Sequence, residues 1–331
     1  MIKFLASRFI NAIIMLWALS LITFVLIQLP PGDALTAHLA VLAAQGEEMD
    51  VTEIKRLREV YGLDGPMHIR YFRWISGVLV GDFGQSFLYN RPVGELIWKR
   101  LGWSASVEGL AILVTWLVAI PIGIYSAVRK YSLGDYVSTV FGFIGMAIPN
   151  FFFALLLMYW SYVYFGENLG GLYSSELEDQ PWSVKRVIDF LAHAWAPVLV
   201  LATASTAQLI RILRANLLDE LSKPYVVTAR SKGLSETRLL LKYPLRLALN
   251  PVISTLGWLL PNLISVSAVV SVVLNLPTTG SMMLSALMNQ DMYLAGAFVL
   301  LLGALTLFGT FLSDILLAIV DPRIRLGFTE L

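Results

Sequence analysis

Few residues of this chain have the type and spacing that proton or metal chemistry needs. Cysteine is absent from the 331 residues, and the three histidines, His38, His68 and His193, lie too far apart for a local metal motif. Two acids, Glu108 and Asp314, border long apolar runs, and carboxylates within a membrane often mark ion pathways. An ion-coupled secondary transporter is therefore one hypothesis.

Neither acid lies where a proton relay would need one. Asp314 precedes Asp321 by seven residues, about 10 Å along a helix, so we expect it near one membrane interface, with Glu108 near the other. The chain also lacks a Gly-Lys dipeptide, and with it the phosphate-cradling P-loop of an ATPase. We expect no catalytic site and no bound metal, and the ion-coupled transporter stays open as the alternative.

The elements that must position any functional residue are membrane-length apolar runs. Hydrophobic residues make up 57% of the chain and charged residues only 14%, which excludes a soluble globular protein. About 20 helical residues cross the hydrocarbon core, and six runs fit. They cover residues 9–28, 109–128, 136–165, 190–210, 247–290 and 292–313. The sequence predicts an all-α polytopic membrane protein with six transmembrane helices, the first retained and not cleaved as a signal peptide.

The fifth run, residues 247–290, is too long for a single crossing. Pro251, Pro261 and Pro277 interrupt it, so we expect one span and a short re-entrant or outer segment. A simple anchor would not need such a region, which disfavours a non-transporting scaffold or receptor.

Loop charge predicts the orientation. With the N-terminus inside, the inner loops hold more than half of the 24 Lys and Arg residues, which places both termini in the cytoplasm. The long first outer loop has helical spacing over residues 51–61 and apolar residues beside charge over residues 66–80. We expect a small helical cap there, and an amphipathic hairpin lying on lipid headgroups is the alternative.

A basic segment, residues 225–251, lies between the fourth and fifth spans and has the pattern of a docking surface. Its first helix is too short to bury much apolar area alone, so we expect Tyr225, Val226 and Ala229 to need a groove on a partner. The alternative is a positively charged loop that rests on anionic lipid.

Turn chemistry predicts a defined bend in this segment. Ser222 can cap the first helix, and Gly233 can supply the left-handed residue that ends it. Ser235 can cap a second helix, with Leu234 and Leu239 spaced as a hydrophobic staple. Lipid attraction needs charge and not a defined bend, so the pattern favours a protein partner.

Five short motifs give the chain a resemblance to a known family. They are Thr228–Leu234 (TARSKGL), Leu245–Pro251 (LRLALNP), Pro31–Asp33 (PGD), Gly81–Ser86 (GDFGQS) and Asp321–Arg325 (DPRIR). Their content and order resemble the ATP-binding-cassette importer permeases of the dipeptide/oligopeptide family, in the subunit that carries a long first outer loop.

This resemblance implies a type I importer permease fold with an extended periplasmic helical loop. It divides the chain into residues 1–30, the N-terminal segment and first span; 31–102, the periplasmic loop; and 103–331, the permease core with a coupling loop at 211–250. It implies a bacterial inner-membrane heterodimer with a sister permease, two cytoplasmic ATPase subunits that bind ATP and Mg, an outer substrate-binding protein, and no nucleic acid. The residues that it implies in coupling are Tyr225, Ala229, Arg230, Ser231, Lys232, Gly233 and Leu234.

Departures from the family pattern fall on the outer side. Residues 272–275 (VVLN) replace an expected acid-containing segment, which weakens the case for a peptide amine and leaves an oligosaccharide open as cargo. An indole and several polar side chains suit stacking and hydrogen bonding to a sugar, and simple packing of the outer gate is the alternative. The candidates for the pathway or outer gate are Trp103, Asn275, Thr278, Thr279, Asn150 and Asn262.

Overall fold

The computed structural model describes residues 2–28, 52, 65–174, 176–177, 180, 183–254 and 268–320. Its elements, in chain order, are α1 (Ile2–Gln28), α2 (Met67–Leu79), β1 (Gln85–Ser86), β2 (Arg91–Pro92), α3 (Val93–Val128), α4 (Leu133–Ala147), α5 (Asn150–Phe165), α6 (Val184–Leu221), α7 (Pro224–Ser231), α8 (Glu236–Lys242), α9 (Pro244–Ala248), α10 (Asn250–Ser254), α11 (Thr279–Met288) and α12 (Met292–Val320). Residues 268–273 are also helical. Asn262, the PGD and DPRIR motifs and all of the predicted helix over residues 51–61 except Thr52 lie outside the described residues.

Within the described part of the chain, α1, α3, α6 and α12 are long and apolar enough to cross a membrane. A fifth span is added if α4 and α5 together count as one. The all-α polytopic class is confirmed. The predicted number of six is not, since residues 255–267 of the fifth run are not described.

The third predicted run, residues 136–165, is not one straight helix. α4 and α5 meet at 98°, with Ile148 and Pro149 at the break. A proline disfavours the helical conformation of the residue before it, and Ile148 is extended, with φ −85° and ψ 120°. The single span predicted from the length of the apolar run is therefore corrected to a bent pair.

Two spans extend well beyond their predicted runs. α3 begins at Val93, far ahead of residue 109, because Val93 and Ile97 are buried on one face of a further stretch of helix. α6 continues to Leu221, with Leu213 and Leu217 fully buried. Its 38 residues make a helix about 57 Å long, so it projects past a hydrocarbon core of about 30 Å.

The chain divides into two compact units. The first comprises residues 1–8, 105–276 and 306–331. Its core lies at the end of α6, where α9 and α10 pack back on that helix. The buried residues that meet there include Leu213, Leu217, Leu245, Ala248 and Val252.

The second unit comprises residues 9–104 and 277–305. Its core joins the start of α3 to α11 and the first turns of α12. The buried residues include Val93, Ile97, Met282, Ala286, Leu294 and Phe298. The antiparallel β1–β2 hairpin, with Ser86 opposite Arg91, belongs to this unit.

Candidate functional site

The helix pair α7 and α8 follows the end of α6 directly. Pro224 takes the first position of α7, where its missing N–H is not needed. The residue at the N-cap is Lys223, not Ser222 as predicted, because Ser222 keeps helical backbone angles and closes α6. The Ser222 hydroxyl donates to the Asp219 carbonyl at 2.7 Å, so α6 and α7 are joined without a flexible linker.

A glycine turn ends α7. Gly233 has φ +76°, the left-handed conformation that the sequence predicts there. Its N–H bonds to the Arg230 carbonyl at 3.0 Å, and the Leu234 N–H reaches the Ala229 carbonyl at 3.4 Å. These two bonds form the Schellman pattern. A Cβ at position 233 would meet nothing within 4 Å, so the requirement for glycine comes from the backbone alone.

A small apolar core fixes α7 against α8. Val226, Ala229 and Leu239 are buried together, and Leu234 and Tyr243 pack against them. Leu234 therefore joins the cluster that contains Leu239, as expected of the predicted staple. The expectation that Val226 and Ala229 need a groove on a partner is wrong, because α8 folds back and supplies Leu239 to cover them.

Ser235 does stand at the N-cap of α8, but its side chain makes no capping hydrogen bond.

A charge pair spans the turn in addition to the apolar core. Arg230 Nε lies 2.6 Å from Glu236 Oε1, and Nη2 lies 2.9 Å from Oε2. The hydrogen bond from Arg230 holds the pKa of Glu236 below its ordinary value, and Glu236 raises the pKa of Arg230. Both side chains are exposed, so the pair adds little stability.

Tyr225 ties the start of α7 to the end of α6. Its hydroxyl donates to the Glu220 carboxylate, and its ring lies 6.5 Å from that of Tyr243. Burial raises the pKa of Tyr225, and Glu220 adds to the rise, so the phenol remains a donor at neutral pH.

The outward face of α7 is the part that another protein can contact. Val227 is 56% exposed and Tyr225 is 36% exposed. The other exposed residues of the predicted coupling set are Arg230, Ser231, Lys232 and Gly233, with Thr228 beside them. The surface is a rigid two-turn helix that carries one apolar, several hydroxyl and two basic side chains.

The predicted outer-gate residues are not all exposed. Thr278 and Thr279 are buried, at 2% and 1% exposure. Ser104 Oγ lies 2.7 Å from Thr279 Oγ1 and accepts the Thr279 N–H at 2.8 Å. Trp103 is partly buried on the same helix turn as Ser104. In this unit the packing alternative describes the threonines better than a pathway does.

Two further outer-gate candidates lie where the backbone changes direction, one in a turn and one at a bend between helices. Asn275 is exposed and has φ +50°, in a turn after the helical residues 268–273. Asn150 opens α5 just after Pro149, at the bend from α4.

One buried acid, Asp291, was not predicted from the sequence to have a role. It is 1% exposed and accepts hydrogen bonds from Ser86 Oγ at 2.5 Å, Leu88 N–H at 3.1 Å and Leu294 N–H at 3.2 Å. It thereby caps α12 and fastens the hairpin to that helix. An acid placed just before an apolar run is a helix-start pattern that could have identified it.

The two acids considered for an ion pathway have different surroundings. Asp314 forms an ion pair with Arg8, at 3.1 Å, as its predicted place near an interface allows. Glu108 is 7% exposed and lies within α3.

Long apolar helices, with a helix–turn–helix at the projecting end of one of them, define an integral membrane protein. The profile described as "Binding-protein-dependent transport system inner membrane component" matches residues 119–326, and its N-terminal counterpart matches residues 1–108. The chain belongs to this family of binding-protein-dependent transport components.

Relatives match almost the whole chain. The "Oligopeptide transport system permease protein AppB" of Bacillus subtilis (strain 168) is 34% identical over 326 residues, 98% of this chain and 100% of the relative. The "Oligopeptide transport system permease protein OppB" of Haemophilus influenzae is 31% identical over 326 residues, with the same coverage. The "Glutathione transport system permease protein GsiC" of Salmonella paratyphi A is 31% identical over 325 residues, 98% of this chain and 99% of the relative.

These matches confirm the family indicated by the sequence motifs. The chain is an inner-membrane permease subunit of an ATP-binding-cassette importer, and it is not an enzyme. The ion-coupled transporter and the scaffold, which were considered from the sequence, are replaced by this assignment.

Proposed function

We propose that this chain forms half of a heterodimeric translocation pathway for oligopeptides and that α7, with the turn at Gly233, receives a cytoplasmic ATPase subunit. The observation that carries the proposal is the locked helix pair: Leu239 covers Val226 and Ala229 from inside, while Val227 stays exposed. A two-turn helix held in this way is already ordered, so it loses little conformational entropy when it binds in a groove.

The packing below α7 supplies a route for force. α6 is continuous from the membrane to Leu221, and Tyr225 on α7 bonds to Glu220 at its end. Leu245 and Ala248 of α9 pack back on Leu213 and Leu217 of α6. Closure of the ATPases would therefore move the coupling loop and α6 as one body and rock the spans between two states.

The proposed assembly has two ATPase subunits, which bind ATP and Mg, a sister permease and a substrate-binding protein on the outer side. Both termini of this chain lie in the cytoplasm, in agreement with the excess of Lys and Arg in the inner loops. The exposed Arg230 and Lys232 lie on that side and suit an acidic rim on the ATPase.

Oligopeptides are favoured over oligosaccharides as the cargo. The names of the relatives refer to oligopeptides and glutathione. Of the residues that would suit a sugar, Thr278 and Thr279 are buried.

The test is ATP hydrolysis by the complete assembly, reconstituted in vesicles with its binding protein and offered oligopeptides or oligosaccharides. Gly233→Pro is the uncoupling variant, because proline fixes φ near −65° and cannot adopt the +76° found here. Gly233→Asn is its control, because asparagine tolerates the left-handed region.

We expect oligopeptides to stimulate hydrolysis in the wild type and in Gly233→Asn, with stimulation lost in Gly233→Pro. Stimulation by oligosaccharides alone would overturn the cargo. Normal stimulation in Gly233→Pro would overturn the docking role of the turn.

A further inference from the structure

The amphipathic helix α2 packs against α1 through Tyr71 and Trp74. The Tyr71 hydroxyl lies 2.8 Å from Ser20 Oγ, within a buried contact. Phe24 meets the Tyr71 ring edge to face, with centroids 5.4 Å apart, and lies 5.8 Å from the Trp74 ring. Tyr71 is 7% exposed, so these contacts fix both the position and the rotation of α2.

The contact lies below the end of the membrane span. α1 ends at Gln28, and its charge-free stretch from Phe9 to Gln28 has just the length that a hydrocarbon core of about 30 Å requires. Ser20 lies eight residues before Gln28, about 12 Å along the helix, and Phe24 lies about 6 Å before it. A helix that bonds to Ser20 therefore reaches the depth of the acyl chains.

The side of α2 that α1 leaves uncovered is mostly apolar. Phe72 is 66% exposed and Leu79 is 81% exposed, and Ile69 continues this face. Val80, directly after the helix, is 82% exposed. Exposure of these apolar side chains to water is unfavourable, whereas contact with acyl chains at that depth is favourable. Arg73 is exposed on the same face, and an arginine there can snorkel toward the lipid phosphates.

We propose that α2 is an interfacial helix embedded in the leaflet at which α1 ends, with Phe72 and Leu79 among the acyl chains and Arg73 at the phosphates. Residues 66–80 then lie at the membrane surface and do not form a water-exposed cap. This placement depends on the contacts with α1 and not on which solute the transporter carries.

Site-directed spin labelling tests the depth directly, because the chain has no cysteine that would need removal. Nitroxides at Phe72→Cys and Leu79→Cys are compared in vesicles of phosphatidylethanolamine and phosphatidylglycerol, with the assembly complete. Ile13→Cys, exposed within the apolar stretch of α1, is the hydrocarbon reference, and Arg91→Cys, exposed on β2, is the aqueous reference.

We expect the ratio of oxygen to nickel-chelate accessibility at Phe72 and Leu79 to rise several-fold above that at Arg91 and to approach that at Ile13. A ratio equal to that at Arg91 would overturn the proposal by placing α2 in water. Exclusion of both reagents would also overturn it, because a protein partner would then cover the face.

A second measurement uses the unaltered chain and so does not depend on the folding of any variant. Vesicles that contain a phosphatidylcholine with a diazirine in its acyl chain are irradiated, and the adducts are located by mass spectrometry. We expect adducts in the peptide that covers α2 and none in the β1–β2 hairpin. Labelling of the hairpin but not of α2 would contradict the proposed depth.

Discussion

Arg214 on α6 bonds to both carboxylate oxygens of Asp135 near the start of α4. Its Nε lies 2.7 Å from Oδ1, and its Nη2 lies 2.8 Å from Oδ2. The Asp135 side chain is 3% exposed, and it also accepts the Tyr131 N–H at 2.9 Å. One guanidinium therefore compensates a nearly buried charge and joins α4 to the helix that leads into the coupling loop.

Loss of Arg214 should destabilise the permease strongly. Arg214→Gln leaves Asp135 buried without its charge partner, and we expect a loss of about 3 kcal/mol. Thermal unfolding of the purified assembly measures the effect. Arg211→Gln removes an exposed charge one turn away and is the matched control, with an expected change below about 0.5 kcal/mol.

The double variant Asp135→Asn/Arg214→Gln distinguishes loss of the ion pair from a nonspecific loss of stability in α6. Because it removes both charges, it should be less destabilised than Arg214→Gln alone. Equal loss in the single and double variants would show that the ion pair is not the source of the effect.

Truncation of Leu239 should loosen α7 without altering its exposed face. Leu239→Ala opens a cavity beneath Val226 and Ala229, and a buried Leu→Ala change costs about 2–5 kcal/mol. We expect faster hydrogen exchange over residues 224–231 and weaker retention of the ATPase subunits on purification. Leu241→Ala, which changes a side chain that is 61% exposed on the same helix, should leave both unchanged.

Local rules were enough to predict much of this site. The left-handed Gly233 and the contact of Leu234 with the Leu239 cluster depend on residues a few positions apart, so turn and staple patterns found them. The predicted N-cap of α7, Ser222, is one residue too early, because the observed N-cap is Lys223. The sequence alone does not show that Ser222 still belongs to the end of α6.

Burial could not be predicted in the same way. Whether Ala229 faces a partner or its own chain depends on how α8 folds back, which no local pattern specifies. The contact between Ser86 and Asp291 joins residues 205 positions apart, and the bond between Ser104 and Thr279 joins residues 175 positions apart. Only the tertiary structure shows that these polar groups satisfy one another.

The charge pair across the glycine turn should respond to pH. Because Arg230 lowers the pKa of Glu236, the interaction is fully present above the ordinary pKa of glutamate and is lost as the pH falls through the lowered value. Wild type and Glu236→Gln are compared at each pH by hydrogen exchange over residues 230–235, whose intrinsic exchange rates the substitution leaves unchanged. We expect about twofold greater protection in the wild type at neutral pH and no difference in acid.

High salt should reduce that difference as well, because both groups are exposed. A difference that persisted in acid would show that the Glu236→Gln substitution alters the turn by some route other than charge.

The close approach of α1 to α12 should depend on the absence of a side chain at Gly303. A Cβ at this position would overlap Leu19 Cδ2, which is the end of a side chain that can shift only if its neighbours allow it. Gly303→Ala should therefore lower the thermal stability of the assembly by about 1 kcal/mol, the low end of the range for overpacking. Leu19→Ala removes the atoms that collide, so the double variant should recover part of the loss and show a coupling of about 1 kcal/mol. Gly109→Ala is the matched control, because a Cβ there would meet nothing within 4 Å. Strictly additive effects of the Gly303 and Leu19 changes on thermal stability would contradict the contact between the two residues.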